Sequence, residues 1–397
     1  MVSVLSKILG VGVIPLVLGL SGEMVVPAQI SLPFRSVPSS EVNPMAGLDQ
    51  GLWGPGNDRS GLLRAIDQSL AYLNSPKAIS DYKKYTAPNQ PGAVLGPNLR
   101  QRVIQSLQRF RQLVIHSPNP QALKVAVKNE FAFYQSVGND QAGTVHFTGY
   151  YEAVYAASLV STPEYRYPIY GRPADFQNWP HPHPTRRELE GEDGLQGSQG
   201  KLKGLELAWL KDRLEAFLIQ VQGSAQLQLT NGQMMTVGYA GKTNFPYTSI
   251  GQELIKDGKI PREELTLPRL IAYFQANPLE MDNYIPRNES FVFFRNTQGG
   301  QAEGSINVPV TAERSIATDK SLWPPGALAI INTVIPPKPA QGHNAGQPVS
   351  RFVLDQDTGS AIKGPGRVDI FMGTGNAAKA RAGLINTDGE LYYLLLK

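Results

Sequence analysis

The sequence predicts a mainly β protein with a helical N-terminal portion. Gly (39 residues) and Pro (31 residues) run above ordinary usage in a chain of 397, which favours strands and loops over a helical bundle. The long stretches of apolar residues at helical spacing lie before about residue 135. Beyond them, β-leaning runs alternate with Gly-, Pro- and Asn-containing turns. At 41% hydrophobic and 18% charged, the chain can bury one large or two medium cores and does not read as disordered.

The elements follow in order. Residues 1–28 carry Lys7, an uncharged apolar run over 8–20, and Val26-Pro27-Ala28. That is the pattern of an export signal cleaved after Ala28, since the apolar run is short of the roughly 20 residues a membrane span needs. Residues 29–58, rich in Pro and Gly, read as a linker. Leu62, Leu63, Ile66, Leu70 and Leu73 mark a first helix, with Ser60 as candidate cap. Val103, Ile104, Leu107, Phe110 and Leu113 mark a second. A third opens after Asn119-Pro120 and carries Leu123, Val127, Phe131 and Tyr134. Residues 144–152 alternate like a strand, and 178–203 read as a long polar loop. Residues 217–224 read as a buried strand ending at Gly223. Residues 226–233 read as a strand entering an Asn231-Gly232 hairpin turn. Short helices are expected at 248–257 and 262–276, and strands at 291–295, 305–310, 327–334 and 391–396.

The composition excludes several classes of chemistry. There is no cysteine, hence no disulfide, Cys-zinc site, thiol nucleophile or lipid-modified N-terminal Cys. The net charge of +4 comes without a Lys/Arg run interleaved with aromatics, so no nucleic-acid partner is expected.

Residues 351–383 hold the strongest chemical signal. Phe352-Val-Leu354 leads into the turn-like Asp355-Gln-Asp357-Thr-Gly359, and a second strand carries Asp369 between Val368 and Ile370. A carboxylate among apolar neighbours is costly to desolvate without partners or a task. Burial would raise its pKa and let it donate a proton at neutral pH. Asp319, Asp357 and Asp369 all sit where a strand meets a turn, which suits turn capping, a carboxylate metal site or acid catalysis. Asp357-Thr-Gly-Ser360 imitates the aspartic-protease turn, but that chemistry needs a pair, and one copy would require a homodimer. His181 and His183 could ligate a metal or face solvent. Gly364-Pro-Gly366 and Gly373-Thr-Gly375 match no phosphate-loop pattern and read as turns. Tyr150, Tyr151, Tyr155, Tyr165, Tyr167 and Tyr170 suit either a core or a sugar-binding cleft.

Five stretches together resemble one family, the membrane-bound lytic murein transglycosylase A family. They are Phe147-Thr-Gly-Tyr-Tyr-Glu152, Tyr170-Gly-Arg-Pro173, Val221-Gln-Gly-Ser224, Val308-Pro-Val-Thr-Ala312 with Ala317-Thr-Asp319, and Asp357-Thr-Gly-Ser-Ala-Ile-Lys-Gly364 with Val368-Asp-Ile-Phe371. The last group resembles the family's C-terminal three-aspartate module. The resemblance implies a double-psi β-barrel with N-terminal helices and an inserted smaller β-barrel-like domain. The barrel would be built from 59–152 and 301–397, with the insert at 153–300. It implies cleavage of the β-1,4 bond between N-acetylmuramic acid and N-acetylglucosamine, giving 1,6-anhydro ends. Asp369 matches the catalytic aspartate and Asp357 a supporting one. Asp319, Lys363, Thr148, Gly149, Tyr150, Gln222, Gly223 and Ser224 match the substrate groove. No cofactor or metal is implied. The expected partner is the glycan strand, acted on by a monomer, with other cell-wall enzymes as candidate partners and the periplasm or cell envelope as location. The founding members are lipid-anchored through a Cys, a route this cysteine-free sequence does not offer.

Overall fold

The computed structural model describes residues 32–397 apart from 266, 299, 338–345, 360 and 361. The expected export signal therefore lies outside the described residues. No helix among them is long and apolar enough to cross a membrane.

The chain opens with β1 (Phe34–Val37), followed by α1 (Arg59–Leu73), α2 (Pro76–Tyr85), α3 (Leu99–His116) and α4 (Pro120–Glu130). Then come β2 (Phe131–Ser136), β3 (Val145–Glu152), β4 (Val154–Ser158), β5 (Tyr167–Tyr170), α5 (Arg186–Glu190) and β6 (Glu206–Leu210). Next are α6 (Arg213–Gln222), β7 (Ser224–Leu229), β8 (Met234–Lys242), α7 (Ile250–Lys256), α8 (Leu267–Ala276), α9 (Met281–Tyr284) and β9 (Val292–Asn296). The C-terminal part holds β10 (Ser315–Ala317), β11 (Leu328–Ile335), β12 (Gln347–Asp357), β13 (Arg367–Thr374), α10 (Gly375–Ala382) and β14 (Asn386–Leu396).

The helices form where caps and apolar spacing agree. Ser75 caps α2 at the Ala78 amide, and Asn119 caps α4 at Ala122, each with Pro at the first position, where its missing N–H costs nothing. α3 buries Val103, Leu107, Phe110 and Val114 along one face. The third helix ends earlier than its spacing suggests. Phe131 takes extended dihedrals, and Phe131 and Phe133 are buried from β2 while Ala132 and Tyr134 between and after them are only half-buried. Pairing of β2 with β14 satisfies that backbone and outweighs the helical spacing of Phe131 and Tyr134.

The larger sheet runs β1-β2-β14-β11-β12-β10-β13-β3, and β3 pairs again with β14. The strands β14, β11, β12, β10, β13 and β3 thus close a ring, with β2 and β1 appended. β14 serves β3 through Asn386–Gly389 and β2 through Tyr392–Leu396. At the bend between, a side chain on Gly389 would strike the Asn332 carbonyl, so only glycine fits. Phe147, Ile316, Val368 and Ile370, neighbours across β3, β13 and β10, are fully buried on one face of the ring.

The second sheet runs β5-β6-β4-β7-β8-β9, and a bridge between Gly171 and Phe294 curls its two edges toward each other. β7 and β8 join through Asn231-Gly232 as expected, with Gly232 at φ 82°. Residues 217–224 do not form the expected strand. Asp212 caps the amides of Leu214 and Glu215, α6 covers 213–222, and Gly223 ends it at φ 81°.

Three further readings change. Residues 305–310 make turns and a single bridge between Glu303 and Pro309 instead of a strand. The polar stretch 178–203 contains α5, started by a Thr185–Glu188 capping box. Within 29–58, β1 pairs with β2, and Asp49 is fully buried against Arg314 and the Phe352 amide.

Candidate active site

Strand register assembles the site. Ala317 pairs with Asp357 on one side and Asp369 on the other, and Asp369 pairs with Thr148. Paired residues share a face, so Asp357, Ala317, Asp369 and Thr148 form one lateral row across β12, β10, β13 and β3. Tyr150 and its partner Phe371 lie two residues further on, on that same face. The two aspartates are two strand spacings apart, about 10 Å at Cα, with only an alanine methyl between. Val368 and Ile370 point the opposite way, fully buried in the ring. The apolar flanks that make Asp369 conspicuous belong to the core, whereas its carboxyl faces a cavity.

That cavity has a volume of about 1090 Å³ and is walled by both sheets. Asp357, Asp369, Tyr150 and Phe371 come from the ring, and Gln222, Gly223, Ser224 and Tyr239 from the second sheet and α6. The Thr148 hydroxyl donates to Asp369 Oδ1 at 2.6 Å, and Arg367 Nη2 donates to that hydroxyl at 3.1 Å. Asp369 Oδ2 takes no hydrogen bond from any described residue. Burial pushes the Asp369 carboxyl above its ordinary value; Thr148 and Arg367 pull back, and the charge of Asp357 adds to the rise. Asp357 is also pushed up by burial, against three donors: the Tyr150 hydroxyl at 2.8 Å and the amides of Thr358 at 2.8 Å and Ser305 at 2.9 Å. Asp357 is thus occupied on both oxygens, and Asp369 on one.

Local sequence explains this placement. Gly149 lets α10 approach β3, because a Cβ there would lie 2.9 Å from the Ala382 Cα. Gly304 lets the returning segment hug β12 and present the Ser305 amide, since a side chain would strike the Gln356 carbonyl.

The remaining residues separate clearly. Gln222, Gly223 and Ser224 line the cavity, at the end of α6 and the start of β7. Asp319 is buried outside the cavity lining and binds the Ser321 hydroxyl, the Ser321 amide and the Gly364 amide. Desolvation opposes its charge, but those donors and Lys363 hold its carboxyl below the usual range. Lys363 is exposed and is not part of the lining. Of the crowded tyrosines, Tyr150 and Tyr151 line the cavity, while Tyr165 and Tyr170 are buried elsewhere. Gly373-Thr-Gly375 leads into α10.

Sequence reasoning passed over Glu152, Arg172, Tyr239, Lys242 and Ser305, all of which line the cavity. Glu152 is buried beside the Thr374 hydroxyl at 2.9 Å. Burial raises its pKa, with Thr374 and Gln226 pulling back. Its signal was its place closing the Thr148–Glu152 run, where the chain leaves the ring for the second sheet.

Comparisons with known proteins agree with this architecture. Residues 146–295 match the family described as MltA specific insert domain, and 314–395 match the 3D domain. The chain is 31% identical over 263 residues to membrane-bound lytic murein transglycosylase A of Escherichia coli K12, covering 66% of this chain and 68% of that one. It is 28% identical over 321 residues to the homologue in Buchnera aphidicola subsp. Schizaphis graminum, covering 75% and 84%. Among solved structures, the membrane-bound lytic murein transglycosylase of Agrobacterium tumefaciens aligns at TM-score 0.69 and 24% identity, covering 92% and 98%. E. coli MltA with bound chitohexaose aligns at TM-score 0.65 and 24% identity, covering 94% and 98%. Two matched regions, the order in which they occur and the paired aspartates on a walled cavity lead to one statement: the chain belongs to the membrane-bound lytic murein transglycosylase A family and carries its 3D domain.

Proposed function

We propose that this protein is a peptidoglycan lytic transglycosylase that cleaves the β-1,4 bond between N-acetylmuramic acid and N-acetylglucosamine, with Asp369 as the one acid and base. The observation that carries the reading is the unpartnered Oδ2 of Asp369, on the cavity wall, in a carboxyl whose pKa burial raises. The names of the curated relatives and the chitohexaose bound to the E. coli protein support a glycan strand as the occupant.

Asp369 starts protonated and gives its proton to the glycosidic oxygen. The C1–O4 bond breaks, and its electron pair leaves with the N-acetylglucosamine hydroxyl. The muramic C6 hydroxyl attacks C1, and the Asp369 carboxylate takes the proton from O6. Atoms balance without water. The nucleophile belongs to the reacting sugar, so it acts at the high effective concentration of a held group. Ordinary glycosidases need two carboxylates because water or the enzyme supplies the nucleophile. Here Asp357, already saturated by three donors, raises the pKa of Asp369 through its charge.

The test is mass spectrometry of digested sacculi. Products lighter by one water than their hydrolytic counterparts are expected, and only reducing ends would overturn the reading. The rate is expected to fall as pH rises through the raised pKa of Asp369, because the proton donor is lost. Thr148→Val removes a hydrogen bond that favours the charged form. The alkaline limb of kcat is therefore expected to move up by about one pH unit, while kcat itself falls from looser positioning. An unmoved limb would deny Thr148 this role.

The ring is read as a double-psi barrel, supported by the parallel pairs β10–β12 and β13–β3 within it. The division at residues 153 and 300 is supported by the second sheet drawing its strands from 154–296. Export to the periplasm or cell envelope, with 1–28 as signal, is supported by the sequence pattern there.

A further inference from the structure

The second-sheet wall of the cavity carries charge that an uncharged sugar chain does not call for. Five cations line the cavity. Three have carboxylate partners: Lys77 with Asp81, Arg186 with Glu190 and Arg295 with Glu303. Arg172 and Lys242 are exposed and show no carboxylate partner among the described residues. Lys242 reaches only the Phe245 carbonyl, at 3.0 Å, and Arg172 lies over the Phe176 ring at 5.1 Å.

Their position is built by the fold. The β8–β9 register slips between Tyr239 and Gly241, a bulge of the kind that re-aims side chains beside active sites. Tyr239, half exposed, turns into the cavity there. Gly241 takes φ 153°, and a Cβ on it would lie 3.2 Å from Arg172 Cδ. The missing side chain is what lets the Arg172 stem pack against the strand at Gly241, next to Lys242 in sequence. On the ring wall opposite, Asp357 and Asp369 line the cavity, so the two free cations are segregated onto one side.

We infer that Arg172 and Lys242, beside Tyr239, form a subsite for a carboxylate on the muramic acid substituent of the bound strand. The inference rests on the proposed glycan substrate. The sugars of that strand are neutral, and its anions are the carboxylates of the stem peptide or, where the stem is absent, the lactyl carboxylate left behind. A guanidinium fork and an ammonium recognise a carboxylate by charge-assisted hydrogen bonds that neither sugar hydroxyls nor acetamides replace.

The test measures binding to the Asp369→Asn protein, so it does not depend on turnover. Three glycans of equal length are titrated calorimetrically: a strand with stems, the same strand with stems removed to the lactyl carboxylate, and chitohexaose, which has no carboxylate. Arg172→Ala/Lys242→Ala is expected to weaken the stem-bearing strand about tenfold and leave chitohexaose unchanged. Arg172→Lys/Lys242→Arg is expected to restore most of the loss. A loss confined to the stem-bearing strand assigns the stem carboxylates; a loss on both strands extends the subsite to the free lactyl carboxylate. Equal losses on chitohexaose, or no loss on any glycan, would overturn the subsite while leaving the proposed function standing. Failure to form anhydro ends, with carboxylate-selective binding intact, would sink the catalytic reading alone.

Discussion

Asp369→Asn is expected to lower the rate of anhydro-end formation by roughly 10³–10⁴-fold while leaving the protein folded. The same side chain is asked to give a proton and to take one, and an amide can do neither. Its shape is kept, and Thr148 can still donate to the amide oxygen. Stability should not suffer. Burial raises the folded-state pKa of Asp369. The carboxyl's favourable contribution is therefore full below its unfolded value, about 3.9, and is lost as pH rises through the folded one. Asn carries no such loss, so the melting temperature at pH 7 should match or exceed that of the parent. Product release from sacculi and a thermal melt, run side by side, check both halves. Full activity would remove the assignment. A collapse of the melt together with the activity would make the residue structural.

Arg314→Met is expected to cost about 3–5 kcal/mol of stability. Arg314 is fully buried. It donates to the Phe352 carbonyl at 2.8 Å and to Asp58 at 2.8 and 2.7 Å, and it pairs with Asp49. Asp49 is itself buried, so removing the guanidinium strands a carboxylate in the core. Arg314 immediately precedes β10, which supplies Ala317 between the two aspartates. Urea unfolding measures the cost. Asp49→Asn/Asp58→Asn/Arg314→Met should be less destabilised than Arg314→Met alone, because no charge is then left unpaired. A single variant within 1 kcal/mol of the parent would show that water reaches the site.

Some of this arrangement could be read from sequence, and the reasons differ by residue. The apolar stripes of α1 and α3 and the Asn231-Gly232 turn were legible because each is a local pattern with one physical solution. Asp369 was legible as an oddity, and alternation along β13 gives the reason: it sends Val368 and Ile370 to the core and the carboxyl to the cavity. Phe131 and Tyr134 fit a helix by spacing and joined β2 because β14, more than 250 residues away, supplies partners. Residues 217–224 fit a strand by composition and became α6 because Asp212 caps it. Gln222, Gly223 and Ser224 on the second wall were reached through the resemblance, but its Arg172, Tyr239 and Lys242 part was not legible. That part depends on a one-residue slip between β8 and β9 and on Arg172 packing at Gly241, neither of which leaves a local trace.

The closure of the ring by β14 bears on how the site is completed. The row at the cavity draws on residues 148, 317, 357 and 369, and β14, which pairs with β3 at Thr148, follows all four in the chain. Until the 11 residues of β14 have been added, β3 lacks one neighbour and β11 another. A chain that stops short of β14 leaves the ring open beside Thr148. The activity is thereby tied to a ring that only β14 can close.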